Sequence, residues 1–162
     1  QINRLYNSSI INIEKQRSQV ICELDNNQVI EAKLCIAADG ANSKTNQLLS
    51  ITSTESDYEC TAIIANVSCD KAHFNRAFER FTENGPLAVL PLQTLSHADQ
   101  RYNVVWSVSN STATTFGDLD DEAFRNHFQE AFGWRLGRVQ AVGRRSHWPL
   151  MRLSASEQFR GR

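Results

Sequence analysis

The chain has 162 residues, of which 41% are hydrophobic and 22% charged, and its formal net charge is −1. That length and apolar share suffice for one sizeable core or two small lobes, and the near-neutral balance gives no electrostatic reason to expect nucleic acid. Its longest apolar runs, near residues 62–65 and 87–92, are far shorter than the roughly 20 residues a membrane-spanning helix needs.

In chain order, residues 10–13 and 19–24 tend to alternate apolar with polar residues around the polar stretch 14–18, and Asp25-Asn26-Asn27 supplies a turn before Val29 and Ile30. This predicts a small antiparallel meander. Leu34-Cys35-Ile36-Ala37-Ala38 is apolar without alternation, the pattern of a strand covered on both faces. Asp39-Gly40 breaks it, and Gly40 permits a tight turn and close approach of a ligand to the main chain. Asn42 or Ser43 caps a short helix over residues 43–49, whose free N–H groups would face whatever sits beside the turn. A carboxylate and a bare backbone where strand meets helix suit a nucleotide cofactor. An ordinary strand, turn and capped helix with no ligand is an equally good reading of these residues alone. The polar residues 52–57 mark a crossing between two lobes.

Residues 61–67, 76–82, 87–92 and 102–108 are strand candidates, with turns at Asn84-Gly85-Pro86 and, more loosely, at residues 96–100. They predict a mostly antiparallel sheet with helices packed on one face; its apolar residues either leave the other face open to a ligand or all pack beneath helices. Residues 118–132 form the clearest helix: Leu119, Ala123, Phe124, Phe128, Ala131 and Phe132 recur at helical spacing, and Gly133 stops it. Asp120, Asp121 and Glu122 stabilise the positive helix end, and His127 reads as a packing residue rather than a base.

Residues 133–162 carry seven arginines against one acid, Glu157. That excess can meet the acidic helix before it, an anionic membrane surface or cofactor phosphates. Trp134 and Trp148 add amphipathic bulk suited to a lipid-facing entrance or to a core. The four cysteines form no Cys-x-x-Cys pair and have no histidine at metal spacing, so neither a structural disulfide nor a metal is expected, and Cys22 and Cys35 read as small buried hydrophobes in strands.

Cys35-Ile36-Ala37-Ala38-Asp39-Gly40-Ala41-Asn42-Ser43 resembles the Asp-Gly motif of the flavin-dependent aromatic hydroxylases of the p-hydroxybenzoate hydroxylase fold group. In that family the motif lies near FAD and is implicated in NAD(P)H use. Further blocks at residues 62–67 (AIIANV), 76–82 (RAFERFT), 85–92 (GPLAVLPL), 132–137 (FGWRLG) and 148–150 (WPL) occur in the order seen in its ubiquinone-biosynthesis branch. One position departs: many relatives carry arginine three residues after the motif serine, where this chain has Asn46. A phosphate contact through that position is therefore in doubt, and Lys44 either supplies a nearby charge or is simply solvated. Neither the three-glycine dinucleotide fingerprint nor the family's second flavin segment has a match here, so the chain reads as a central fragment that by itself binds FAD and NAD(P)H weakly or not at all.

The resemblance implies an α+β fold: the end of a Rossmann-like FAD domain (small β-meander, strand, helix) followed by a mostly antiparallel substrate domain. The expected divisions are residues 1–57 for the FAD-binding lobe, 58–155 for the substrate sheet and 156–162 for the start of the return. It implies cofactor contacts at Asp39, Gly40 and Ser43, and a substrate ceiling at Gly85, Pro86, Leu87 and Val89, with Arg80 and Trp106 as further candidates. No catalytic side chain is named, because in such enzymes the flavin carries the chemistry while the protein positions substrate and excludes water. The implied reaction reduces FAD with NAD(P)H, forms a flavin C4a-hydroperoxide from dioxygen and hydroxylates a polyprenyl phenol. The implied setting is cytoplasmic, at the inner-membrane periphery or in a ubiquinone-biosynthesis complex. Two rival readings stay open: another Asp-Gly flavoprotein, either a reductase or a halogenase, and a non-catalytic sheet module that binds a hydrophobic ligand.

Overall fold

The computed structural model describes residues 2–93 and 100–161; the looser turn expected at 96–100 lies outside the described residues except for Gln100. The chain divides into two compact units, Gln1–Ser56 with Arg152–Arg162, and Asp57–Met151. The first change of unit falls one residue before the expected division, and the return at Arg152 falls four residues before the expected 156.

In the first unit, β1 (Ile10–Lys15), β2 (Val20–Leu24) and β3 (Val29–Ala32) form an antiparallel meander in that order. Val20, Cys22 and Leu24 alternate inward on β2 and are buried, as the period of two requires. The β2–β3 turn places Asn27 at φ 63°, a left-handed conformation that asparagine tolerates. Helix α1 (Lys44–Leu48) follows and packs against β1.

Residues 34–38 form no strand. A strand needs hydrogen-bonded neighbours, and among the described residues β3 pairs only with β2 and nothing pairs with this run. Its apolar side chains therefore stay open: Leu34 is 59% and Ile36 78% exposed.

The second unit is built on a six-stranded sheet. Four of its strands, β4 (Ser53–Cys69), β5 (Phe78–Thr82), β6 (Gly85–Pro91) and β7 (Gln100–Ser109), overlap the expected strand positions, although β5 starts two residues after the expected 76 and β6 runs from Gly85, inside the expected turn, to one residue before the expected 92; β4 begins within the first unit. Then come α2 (Asn110–Asp118), α3 (Asp121–Phe132), β8 (Val139–Val142) and β9 (Ser146–Ala155), the last of which passes into the first unit. The order is β5-β6-β7-β4-β8, with β9 also pairing β4. The β5–β6, β6–β7, β7–β4 and β4–β8 ladders are antiparallel.

Register decides which side chains face the helices. Trp106 stands opposite both Ile63 and Leu87, and Val104 opposite both Ala65 and Val89. This parity is wholly or almost wholly buried, beneath Phe116 of α2 and Phe124, Phe128 and Phe132 of α3. Trp106 meets Phe116 at 4.9 Å between ring centroids, and Phe128 stacks on Phe132 at 5.7 Å.

Helix α3 stands where a helix over 118–132 was predicted, and α2 precedes it where none was. Asp120 caps α3, its Oδ1 accepting the Ala123 N–H at 2.7 Å, and Gly133 ends it at φ 82°. The preceding α2 is capped by Ser109 and is composed largely of Ser, Thr and Gly, poor helix formers; burial of Ala113 and Phe116 holds it in place.

Candidate functional site

The Asp-Gly turn joins the open run 34–38 to α1. Asp39 Oδ1 accepts the Ser43 hydroxyl at 2.6 Å, and Oδ2 accepts the Thr45 N–H at 3.0 Å. Ser43 is the helix cap, and its Oγ accepts the Asn46 N–H at 3.0 Å. Hydrogen bonds from Ser43 and then from the Thr45 backbone hold the Asp39 carboxyl down at about 2, so it is an anion at any ordinary pH. The expectation of free N–H groups at this helix end needs correction, because those of Thr45 and Asn46 are consumed internally. What the turn leaves open is the Cα side of Gly40, whose φ is 81° and beside which a Cβ would meet nothing within 4 Å, while its carbonyl accepts the Ser43 N–H at 3.1 Å.

Next to the turn, within the same unit, lies a groove of about 430 Å³. Leu34, Ile36, Leu49, Ile51 and Phe159 give it apolar walls, and Thr45 and Asn46 form part of its lining. Arg160 closes one side, paired with Glu157 at 2.5 Å and donating to the Leu49 carbonyl at the end of α1.

The sequence-named substrate residues fall on two sides of the sheet. Leu87, Val89 and Trp106 belong to the buried parity beneath the helices, and among the described residues Trp106 Nε1 has no hydrogen-bond partner. Arg80 shares that side; its Nη1 donates to the Phe132 carbonyl at 2.7 Å, which ties β5 to the end of α3. Pro86 has the opposite parity and is exposed. Gly85 sits at φ 117°, where a Cβ would come within 2.2 Å of the Ser107 carbonyl oxygen, so close approach of β6 to β7 requires glycine there. The six residues are thus not gathered into one site.

The open face is instead presented by neighbours of opposite parity: Phe81, 81% exposed and paired with Pro86, Leu90, 41% exposed, and the partly exposed Ala88 paired with Val105. Sequence reasoning passed over Phe81 and Leu90. The signal for them was the alternation within residues 78–92 together with the hairpin register, which puts 81, 86, 88 and 90 on one face.

The acidic cluster is accounted for by helix structure. Asp120 caps α3, Glu122 meets Arg125 at 3.6 Å and Asp121 meets Arg145 at 3.3 Å. Arg145 also lies over Phe124 at 5.0 Å and donates to the Leu119 and Asp120 carbonyls, so one of the seven C-terminal arginines does meet the acidic helix end. His127 packs against Phe116 at 5.5 Å. Among the described residues, Cys22 and Cys69 are buried free thiols, Cys35 and Cys60 partly buried ones; burial, followed by Asp70, pushes Cys69 up to about 12.

Residues 7–162 match the FAD binding domain family. Over 110 residues, 67% of this chain and 22% of the relative, the sequence is 33% identical to the mitochondrial ubiquinone biosynthesis monooxygenase COQ6 of Homo sapiens. Over 147 residues, 91% of this chain and 36% of the relative, it is 29% identical to the 3-demethoxyubiquinol 3-hydroxylase of Escherichia coli (strain K12). In fold it is similar to the p-nitrophenol 4-monooxygenase PnpA of Pseudomonas putida DLL-E4, with a TM-score of 0.57 at 18% identity over 96% of this chain and 39% of that one. The chain spans about a third or less of the first curated relatives it matches.

Proposed function

Since the chain belongs to the FAD binding domain family, we propose that it is the central part of an FAD-dependent monooxygenase that hydroxylates the aromatic ring of a polyprenyl phenol in ubiquinone biosynthesis. The reaction is of the kind catalysed by 2-octaprenyl-6-methoxyphenol hydroxylase. Atoms and electrons balance as NAD(P)H, a proton, dioxygen and the phenol giving NAD(P)⁺, water and the ring-hydroxylated product. When bound, the flavin supplies the electron transfer and oxygen activation.

The observation that carries this reading is the Asp39–Gly40 turn. A carboxylate fixed as an anion stands next to a glycine whose outer side is open, and such a cradle suits a cofactor bearing hydroxyl donors and in need of close backbone approach. In this reading Asp39 accepts hydrogen bonds from the cofactor, Gly40 lets it approach, and Ser43 positions Asp39 rather than touching the cofactor. The exposed apolar residues Phe81, Pro86 and Leu90 on the open sheet face suit an aromatic ring with an apolar tail, for which shape and exclusion of water matter more than charge. The ubiquinone-biosynthesis names of the relatives support the substrate class.

The test is to incubate the full polypeptide carrying this chain with FAD, NADPH, a polyprenyl phenol and isotopically labelled dioxygen. One labelled oxygen atom in the ring hydroxyl is the expected product. A halide-dependent product, or oxidation of NADPH with no labelled phenol, contradicts the reading.

A further inference from the structure

Cys22 stands at the centre of β2, with Val20 and Leu24 on the same buried side of the meander. Directly opposite it on β1 is Ile13, and opposed residues of an antiparallel pair share a face. Ile13 and Val20 line the groove beside the Asp-Gly turn, and so does Cys35. From Lys33 to Gly40 every residue is exposed except Cys35, which is partly buried. Cys35 is therefore the one side chain of this unpaired run that turns toward the meander. The two thiols meet there, hydrogen-bonded to each other, and both are free.

Contact between two sulfurs sets this pair apart from an ordinary buried thiol, because a cysteine oxidised beside a second thiol closes to a disulfide. Cys69, by contrast, has the Asp70 carboxylate as its neighbour. Slack in the chain matters as well, since a disulfide holds its two Cα atoms roughly 4.4–6.8 Å apart. Ladders on both sides fix β2, whereas among the described residues no ladder holds 34–38, so Cys35 can make the small movement from thiol contact to a bond. Two sulfurs also fall short of the four ligands that structural zinc takes, and among the described residues no group of three or more metal-ligating side chains includes them.

We propose that Cys22 and Cys35 form a site of reversible oxidation by peroxide, whose disulfide fastens the open run 34–38 to β2. Burial, followed by Cys35 itself, raises the Cys22 pKa, so Cys22 waits as a thiol while Cys35, at the groove wall, meets the oxidant. The Cys35 sulfur attacks one oxygen of hydrogen peroxide, the O–O bond breaks, and the other oxygen leaves as water with the thiol proton, giving a sulfenic acid. The Cys22 sulfur then attacks the sulfenic sulfur; the S–S bond forms as the S–O bond breaks, and the hydroxyl leaves as a second water with the Cys22 proton. Two thiols lose two electrons and one peroxide is reduced to two waters. Asp39 follows Cys35 by four residues, so the bond also restrains the approach to the Asp-Gly turn. The inference stands independently of the reaction proposed above.

Trypsin cuts after Arg17, Lys33 and Lys44, which puts the two cysteines in separate peptides, residues 18–33 and 34–44. The test exposes the full polypeptide to hydrogen peroxide, alkylates the remaining thiols and maps the tryptic peptides by mass without reductant. Peptide 18–33 joined to 34–44 is expected, released by dithiothreitol, with amide exchange at 34–38 slowed at least about tenfold in the oxidised protein. Cys22→Ser, its folding checked by a thermal melt, should give no joined peptide and should accumulate a dimedone adduct on Cys35. The proposal is overturned by the absence of the joined peptide in the wild type, by sulfinic acid on Cys35 in its place, or by an equal yield of it from urea-unfolded chain. Unchanged exchange at 34–38 after joining overturns it too, since the bond then fastens nothing.

Discussion

The Ser43 hydroxyl donates to Asp39 Oδ1 at 2.6 Å while the Thr45 N–H donates to Oδ2 at 3.0 Å, so one carboxylate both orients a serine and caps a helix. Because these bonds lower the Asp39 pKa from 3.8 to about 2, their contribution to stability is fully present above pH 3.8 and is lost as the pH falls through about 2. A carboxyl NMR titration should find the Asp39 midpoint near 2 and, in Ser43→Ala, displaced upward toward the ordinary aspartate value. Loss of the serine cap should also cost about 1 kcal/mol in urea unfolding.

Three glycines with left-handed φ should respond differently to alanine. At Gly137 a Cβ would lie 1.6 Å from Asp70 Oδ1, and at Gly85 2.2 Å from the Ser107 carbonyl oxygen, whereas at Gly40 it would meet nothing within 4 Å. Gly40→Ala should therefore cost only the backbone term of about 1 kcal/mol. Gly85→Ala and Gly137→Ala should each cost well above about 2 kcal/mol, because backbone or a bonded carboxylate must move. Urea denaturation of the three variants checks the ranking.

Leu87 and Phe81 lie on adjacent strands with opposite parity, and their substitutions should separate stability from ligand binding. Leu87 is wholly buried, so Leu87→Ala should destabilise by about 2–5 kcal/mol. Phe81→Ala, at an exposed position, should leave the melting temperature nearly unchanged and raise KM for a polyprenyl phenol in the full polypeptide.

Gln129 uses both ends of its amide to fix the 133–138 loop. Gln129→Glu keeps an acceptor for the Val139 N–H but loses the donor to the Gly133 and Gly137 carbonyls, so about 1–3 kcal/mol should be lost. Hydrogen exchange at Gly137 and Arg138 should accelerate more than in the sheet interior.

Much of the second unit was legible because its strands alternate and its hairpin turns carry suitable residues. Period two gives parity, however, and cannot say which parity lies under the helices. Leu87 and Val89 were therefore assigned to a ligand face when helix packing claims them, and Phe81 was passed over. Helix α2 was illegible because Ser, Thr and Gly predict no helix; only the burial of Ala113 and Phe116 explains it. Strand β9 was hidden by Pro149, which lacks the N–H a central strand needs, and among the described residues β9 pairs with β4 alone. The Asp39–Gly40 turn was legible since carboxylate, glycine and cap are local. The consumption of the Thr45 and Asn46 N–H groups was not, because it depends on where the Asp39 side chain folds back.

The most direct test of the central claim is an FAD fluorescence titration of the full polypeptide, wild type beside Asp39→Ala and Ser43→Ala, with folding confirmed for each. The account predicts saturable quenching at one FAD per chain, weakened at least about tenfold by Asp39→Ala and less by Ser43→Ala, which only misplaces the carboxylate. An absence of FAD binding by the wild type, or equal affinity in Asp39→Ala, would contradict it.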